Sequence, residues 1–377
     1  MDVTTENWRN LTTLDTLNVS MESPDQDLPP LQVFNSWYGE CHGYVAACVC
    51  VFGIISNVVN IIVLTRKNMV SPTNCLLSAL AIADILTMAV YLPYAIYLYI
   101  IKQPDPYCHH SKAWVIYILF NNIFVVTAHQ MAMWLTVSLA IFRYIVVCFH
   151  SRGPHLCSLR RAKLTIIIVS VASVLISVPN YLNYKVTNLK DDPTYNNTGY
   201  WFALSHINEE TDAKLSKASF WLYAVCFRIA PCILLVVLSS LLIIAMHTAN
   251  QRRLRLLSQS RRAEDEHGAE HNRTTAMLVA VVLFFVLTEL PIGILALLSA
   301  IIEEFFDNYY VPLGDVMDIL VLVNSAVNFI LYCIMSRQFR RTFRELFHVS
   351  CINKILGKKS SSNGTHYCTI KTEVTQL

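Results

Sequence analysis

Seven long apolar stretches recur along this 377-residue chain, and they constrain its fold more than any other feature. A helix needs about 20 apolar residues to cross a bilayer core of roughly 30 Å. Its backbone groups must be bonded internally there, so each stretch is expected to cross as an α-helix. Charged residues make up only 15% of the chain, whereas soluble domains carry about 25%. The sequence therefore predicts an all-α membrane protein, a seven-transmembrane helix bundle with spans at Tyr44–Thr65, Thr73–Ile100, Trp114–Val147, Leu164–Leu182, Phe220–Met246, Thr275–Ile302 and Pro312–Met335.

The basic residues between the spans predict the orientation of the bundle. Cytoplasmic connections are enriched in lysine and arginine, and every second connection here is basic. The other connections and the start of the chain are acidic. We therefore expect a multi-pass plasma-membrane protein with an extracellular amino terminus and a cytoplasmic carboxyl terminus. The basic residues are Arg66, Lys67, Arg152, Arg160, Arg161, Lys163, Arg252, Arg253, Arg255, Arg261, Arg262, Arg337, Arg340, Arg341 and Arg344.

This topology divides the chain into four parts. Residues 1–43 are expected to form an extracellular tail and residues 44–335 the bundle. Residues 336–348 read as a short amphipathic eighth helix on the membrane surface, and residues 349–377 as a cytoplasmic tail. The start of the chain is polar and acidic and shows no secretory signal peptide.

Two other classes of membrane protein compete with a receptor. A secondary transporter usually shows paired repeats with interrupted helices, and the sequence shows no such self-similarity. An intramembrane hydrolase would cluster a nucleophile with a base, whereas Asp84, His129 and Glu289 are scattered over three spans. We therefore expect neither an enzyme nor a cofactor or metal site, and no nucleic-acid partner.

Polar residues inside the spans form a candidate inner cluster. Ionisable groups within a membrane are costly, so they usually face the bundle interior and have a role there. Asn57 lies in the first predicted span and Asp84 in the second, and the seventh contributes Asn324, Ser325 and Asn328. The alternative is purely structural hydrogen bonding between helices, which fits Asn57 better than the lone carboxylate of Asp84.

Several short motifs, all in order, resemble those of rhodopsin-like (class A) G-protein-coupled receptors. They are Leu80-Ala81-Ile82-Ala83-Asp84, Phe142-Arg143-Tyr144, Pro231, Pro291, Asn324-Ser325-Ala326-Val327-Asn328-Phe329-Ile330-Leu331-Tyr332 and the amphipathic Ser336-Arg337-Gln338-Phe339-Arg340-Arg341-Thr342-Phe343. The resemblance implies coupling to a heterotrimeric G protein. It assigns activation and coupling to Asp84, Arg143, Tyr144, Pro291, Asn324, Ser325, Asn328 and Tyr332, and it places Arg143 against the G protein.

Departures from the common motifs of the superfamily narrow the resemblance to one group of its receptors. Phe142 replaces the usual acid, Phe329 replaces the usual proline, and Thr288-Glu289-Leu290-Pro291 stands where most members have Cys-Trp-x-Pro. Together with Val178-Pro179-Asn180-Tyr181-Leu182, this is similar to the invertebrate myosuppressin and FMRFamide-like peptide receptor group, which neighbours the sex-peptide and myoinhibitory-peptide receptors. The resemblance implies an amidated RFamide or myosuppressin-like neuropeptide as ligand. An orphan or constitutively active receptor is the alternative, because Phe142 removes the acid next to Arg143.

Two charges within the bundle are expected to pair. Arg228 lies three residues before Pro231, and Glu289 lies two before Pro291. If the two prolines lie at equal depth, both charges fall in the outer half of adjacent helices, and an unpaired buried charge would cost several kcal/mol. The alternative is that Arg228 extends outward and a protonated Glu289 bonds to Asn324.

The outer face favours a peptide over an amine. Amine receptors of this superfamily carry a carboxylate eighteen residues before the arginine, where this chain has Val125. We expect ligand contacts instead at Asn121, Asn122, His129, Met133, Arg228 and Glu289, although His129 could equally make only a hydrogen bond between helices. An acidic and aromatic rim at Glu303, Glu304 and Asp307 would pair with an arginine of the ligand, or it is a set of solvated loop charges.

The sequence also contains candidate residues for a disulfide, for covalent modification and for the binding of further partners. The family usually ties its third helix to the second outer loop by a disulfide, but residues 185–218 contain no cysteine. A bridge between Cys41 and Cys108 is therefore predicted in its place. Asn-x-Ser/Thr triplets mark Asn10, Asn18 and Asn196 for glycosylation, and Cys351 is a palmitoylation candidate. Arrestin, and a PDZ protein at the terminal Leu377, are further candidate partners.

Overall fold

A computed structural model describes residues 30–101, 112–149, 153–182, 184–188, 202–206, 221–257, 284–302 and 305–355. Within these residues, seven helices are long and apolar enough to cross a membrane, which confirms the predicted bundle. We number them α1 to α7 and the helix that follows them α8. Their bounds are α1 Pro30–Leu64, α2 Pro72–Ala95, α3 Lys112–Cys148, α4 Leu159–Leu182, α5 Ala230–Leu257, α6 Phe284–Ile301, α7 Gly314–Ala326 continued by Asn328–Met335, and α8 Arg337–Ile355.

Short elements link or extend these helices. A 3₁₀ turn at Lys67–Met69 joins α1 to α2, and a helical turn at Gly153–Leu156 precedes α4. Ser71 caps α2 by accepting a hydrogen bond from the Asn74 amide (3.1 Å), with Pro72 in the first turn. Serine at the cap and proline just inside it are the residues that favour a helix start.

Helix α1 begins fourteen residues earlier than the span predicted from Tyr44, so residues 30–43 are helical, whereas the extracellular location of residues 1–43 stays a prediction. An aromatic series one turn apart supports this extension: Phe34 stacks on Tyr38 (5.8 Å between ring centroids), and Tyr38 contacts the His42 ring (5.7 Å). Side chains four residues apart are neighbours on a helix. His42 is fully buried and anchors this part of α1 against α2.

The core lies between α1, α2, α3 and α7. Gly53 of α1 allows a close approach of α2 and α7, because the Met88 side chain and the Ala326 methyl group fill the space that a Cβ would need. On the outside, α4 exposes a row of large aliphatic side chains, a surface suited to lipid rather than water. These are Ile167, Ile168, Val171, Val174 and Leu175.

The π-helical segments were not predicted. One extends α2 over Ile96–Ile100, one precedes α5 over Tyr223–Ile229, and one lies at Phe306–Tyr310 before α7. Segments of this type are rare and occur frequently at functional sites. The Tyr223–Ile229 segment contains Arg228, and its wider turn brings a residue close to its fifth neighbour along the chain.

A small β-hairpin adds to the all-α bundle. Strands β1 (Tyr184–Asn188) and β2 (Phe202–His206) pair antiparallel after α4, with Tyr184 opposite His206. Helix α8 packs its buried Phe339 against Val63 and Leu64 of α1. It runs to Ile355, beyond the predicted end at residue 348, and its location on a membrane surface stays a prediction. We call the two ends of the bundle the Pro30 end, where α1 begins, and the α8 end.

Candidate ligand and activation site

Glu289 of α6 is the centre of a buried ionic cluster that joins four helices. Its side chain is fully buried and accepts hydrogen bonds from α3, α5 and α7. His129 Nε2 donates to Oε1 (3.0 Å), and Asn324 Nδ2 donates to the same oxygen (2.6 Å). Arg228 Nη1 pairs with Oε2. The ion pair expected between Arg228 and Glu289 is therefore confirmed.

The alternative arrangement, in which Arg228 extends outward and Glu289 bonds to Asn324, forms only in part. Asn324 does bond to Glu289, but it does so beside the arginine rather than in place of it. Arg228 does not extend outward, because only 3% of its surface is exposed. The interhelical hydrogen bond considered for His129 also forms, and the second ring nitrogen of His129 has no partner among the described residues.

The π-helical segment before α5 holds Arg228 in this position. Tyr223, five residues earlier, accepts hydrogen bonds from Arg228 Nε (3.1 Å) and Nη2 (2.6 Å), and the guanidinium lies 5.1 Å from the tyrosine ring centroid. Opposite, Gly293 of α6 gives the backbone room: a Cβ there would lie 2.8 Å from the Arg228 Cβ. The close approach of α5 and α6 thus depends on that glycine.

The inner polar cluster forms without Asn324. Asn328 Nδ2 donates to the Asp84 carboxylate (2.7 Å), and Asn57 Nδ2 donates to the Ser325 carbonyl oxygen (3.0 Å). These contacts tie α7 to α2 and to α1. Asn324 lies one helical turn nearer the Pro30 end and faces Glu289 instead, so the predicted five-residue cluster is divided between two neighbouring sites.

An internal cavity of about 410 Å³ connects the two polar sites. Its walls come from α2, α3, α6 and α7, and they include Asp84, His129, Met133, Asn324 and Asn328. Met133 is 1% exposed and packs with Phe285 and Cys232. Partners of Glu289 (His129 and Asn324) and of Asp84 (Asn328) thus line the same space.

Sequence reasoning missed an acidic group at the Pro30 end of α7. Tyr99 donates to Asp315 Oδ1 (2.6 Å), and Tyr91 donates to Asp318 Oδ2 (2.8 Å). His42 Nε2 lies 2.9 Å from the Tyr91 oxygen. The available signal was two carboxylates three residues apart inside a predicted span, since ionisable residues there usually have a role.

The other expected ligand contacts are only partly placed. Asn121 is buried, with its amide nitrogen 3.2 Å from Asn122 Oδ1, whereas Asn122 is exposed. Of the acidic rim, Glu303 and Glu304 lie outside the described residues. Asp307 lies in the Phe306–Tyr310 segment, and its side chain is outside the described part of the chain.

At the α8 end, Arg143 and Tyr332 line an open cavity of about 1060 Å³ between α2, α3, α5, α6 and α7. Within the part of the chain that the structure describes, Arg143 forms no ion pair with a carboxylate. The preceding Phe142 is buried against Leu76, Leu135 and Cys157. Tyr144 is half-buried, and Pro291 of α6 is exposed on the outside of the bundle.

Cys157 makes a hydrogen bond to the backbone of Phe142. Its thiol donates to the Phe142 carbonyl oxygen (3.6 Å), and burial raises the pKa of that thiol. The α3–α4 connection thus packs against Phe142, the residue next to Arg143, through a buried thiol rather than a carboxylate.

The predicted disulfide between Cys41 and Cys108 is not formed. Cys41 is a free thiol that lies within α1 and donates to the Tyr38 carbonyl oxygen (3.2 Å), rather than lying in a loop. Cys108 is outside the described residues, as are Asn10, Asn18, Asn196 and Leu377. Cys351 lies in α8, and its side chain is outside the described part.

Comparison with known proteins agrees with this architecture. The family model of serpentine seven-transmembrane G-protein-coupled chemoreceptors of the Srw type matches residues 44–350. The sex peptide receptor of Drosophila melanogaster is 31% identical over 93% of this chain and 81% of its own. Sex peptide receptor-related protein 2 of Caenorhabditis elegans is 30% identical over 86% and 75%. The FMRFamide receptor of Drosophila melanogaster is 26% identical over 81% and 53%.

The family match covers the bundle and most of α8. It confirms the resemblance drawn from the motifs, and it makes the chain a multi-pass plasma-membrane protein and a receptor rather than an enzyme. Phe142 and Glu289, two residues in which this chain departs from the common pattern, lie in or next to the two sites described above. The chain belongs to the serpentine seven-transmembrane G-protein-coupled receptors.

Proposed function

We propose that this receptor is activated by an extracellular amidated neuropeptide of the RFamide or myosuppressin type and signals through heterotrimeric G proteins. Support for the peptide comes from relatives named as sex peptide and FMRFamide receptors. The observation that carries the mechanism is the Glu289 cluster, where one buried carboxylate bonds to side chains of three other helices.

The ligand is proposed to enter at the Pro30 end, which faces the outside of the cell in the orientation expected from the basic connections. A peptide that displaces α3 or the π-helical segment before α5 moves His129 or Arg228. Either movement removes a partner from Glu289, which cannot stay buried without one at low cost. The loss of this contact then favours a shift of helix α6. A pair with only a structural role is the competing interpretation.

The α8 end is proposed to receive the G protein. Arg143 lines the open cavity there, as does Tyr332, and Asn328 links that region to Asp84. We further propose glycans at Asn10, Asn18 and Asn196 and palmitate on Cys351. Arrestin and, at Leu377, a PDZ protein are proposed partners of the cytoplasmic side.

Ligand-independent signalling is a second candidate function. The observation that favours it is the apolar environment of Phe142, since no carboxylate pairs with Arg143 among the described residues. An unrestrained arginine is available to a G protein without a prior conformational change. The two candidates make different predictions for cells to which no peptide is added.

A dissociation assay in transfected cells tests the proposal. Cells expressing the full chain and a labelled heterotrimeric G protein are exposed to a panel of amidated peptides and to their free-acid counterparts. Amidated peptides are expected to cause concentration-dependent dissociation, and an Arg143→Ala variant at equal surface density is expected not to respond. Equal responses to the amidated and the free-acid peptides would contradict the proposed ligand class, and signalling without any peptide would favour the second candidate.

A further inference from the structure

The acidic group at the Pro30 end of α7 has the composition of a cation-binding site. Asp315 and Asp318 are three residues apart, so both face the same side of the helix. That side contacts α1 and α2, where Tyr99 donates to Asp315 and Tyr91 to Asp318. The His42 ring lies 4.4 Å from the Tyr99 ring, between the two tyrosines. Aromatic side chains of two helices thus surround two carboxylates.

Neither carboxylate has a cation among the residues that the structure describes. Each accepts a neutral hydroxyl hydrogen, whereas Glu289 has Arg228. Two carboxylates one turn apart also repel each other. Since an ionised group within a membrane costs a few kcal/mol, a cation in direct contact with both carboxylates would lower that cost.

Two further observations show that the group is incomplete. His42 is fully buried, its Nε2 contacts the Tyr91 oxygen, and its Nδ1 has no partner among the described residues. Asp315 Oδ2 faces Gly39 of α1, which has no side chain to cover it. Both carboxylates are half-buried rather than sealed. A buried nitrogen without a partner and a carboxylate oxygen that faces a glycine leave hydrogen-bonding capacity for another molecule.

We propose that this group is a subsite for the guanidinium of an arginine side chain in the ligand. Two carboxylates can accept the several N–H donors of a guanidinium, and the faces of the tyrosine rings attract its charge. A metal ion fits less well, because no set of three or more metal-ligating side chains is grouped among the described residues. This inference rests on the proposed peptide function, and it replaces the rim at Glu303, Glu304 and Asp307 as the partner of the arginine.

A first experiment uses the purified full chain and does not depend on the identity of the peptide. Argininamide and citrullinamide are compared at about 10 mM, a concentration that would fill most of a site with a Kd of about 1 mM. Argininamide is expected to raise the unfolding temperature of the wild type, and citrullinamide is not. The rise should disappear in Asp318→Asn and persist in the matched control Glu303→Gln. No rise in the wild type, or an equal rise in Asp318→Asn, would overturn the subsite.

A second experiment measures activation by Phe-Met-Arg-Phe-amide and by its citrulline analogue. Loss of a charge-assisted hydrogen bond corresponds to about a 10- to 100-fold loss of potency, so the wild type is expected to prefer arginine by that factor. The preference should fall below about threefold in Asp318→Asn and be retained in Asp318→Glu, which also controls for surface expression. A preference that survives Asp318→Asn but is lost in Glu303→Gln would refute the assignment.

The two experiments separate the possible failures. If no amidated peptide activates the receptor while argininamide still stabilises the wild type, the proposed function fails and the subsite stands. If the peptide activates the receptor but both amides leave the unfolding temperature unchanged, the peptide function stands and the subsite is wrong.

Discussion

Replacing Gly293 by alanine tests whether close approach of α5 and α6 maintains the ion pair. The added methyl carbon would lie 2.8 Å from the Arg228 Cβ and 3.2 Å from the Ile229 Cγ1. Carbon atoms in contact are normally about 3.5 to 4.0 Å apart, so the helices must separate by roughly 1 Å. Overpacking of this kind costs about 1–3 kcal/mol. Alanine recovers up to about 1 kcal/mol through its better helix propensity.

The net loss should be about 1–2 kcal/mol, or roughly 2–3 °C in unfolding temperature for a bundle of about 300 residues. Thermal unfolding of the purified receptor measures it. Gly314→Ala is the matched control, because no atom lies within 4 Å of the position that its Cβ would occupy. Gly314→Ala should be neutral or slightly stabilising. If Gly293→Ala is as stable as Gly314→Ala, the close packing around Arg228 is not what holds the two helices.

Three further predictions concern other parts of the bundle. Asn328→Leu removes the hydrogen bond to Asp84 and should cost about 1–3 kcal/mol in the free energy of unfolding, measured by thermal denaturation; an unchanged unfolding temperature would contradict it. Phe142→Glu restores an acid beside Arg143 and should lower basal G-protein signalling by up to about fivefold, so higher basal signalling per surface receptor would count against it. Alkylation of the unreduced protein should label Cys41 fully, whereas protection of that thiol would show that a disulfide forms after all.

The number of spans could be predicted because span length follows from bilayer thickness and apolar composition. The start of α1 could not. Its first turns contain Asn35, Gly39 and Glu40, which remove the continuous apolar run that marks a span. Those turns are nonetheless helical because Phe34, Tyr38 and His42 pack on one face. Contacts with another helix, which a single segment does not reveal, determine where this helix begins.

The ion pair could be predicted because an intramembrane arginine and an intramembrane glutamate each need a partner. The surroundings of the pair could not. Asn324 was grouped with Asn328 because both belong to one motif, yet four residues are a full turn of helix, and the two face different carboxylates. The contact from Tyr223 to Arg228 depends on a π-helical turn, for which the sequence gives no local signal.

The acidic group of α7 differs from the rim that the sequence predicts for a different reason. The rim lies in the connection before α7, whereas Asp315 and Asp318 lie inside a predicted span, where no local pattern indicates a partner. Their tyrosine partners lie more than two hundred residues earlier in the chain. Residues this far apart in sequence can be related only through the packing of α2 against α7.

A charge swap between α5 and α6 tests most directly whether the ligand acts through the Arg228–Glu289 pair. Each single variant, Arg228→Glu and Glu289→Arg, should lose surface expression and peptide-dependent G-protein dissociation, because each leaves like charges facing one another in a buried site. The double variant should recover at least part of both. Failure of the double variant to recover either property, with both single variants impaired, would contradict the pair as the element that transmits the signal.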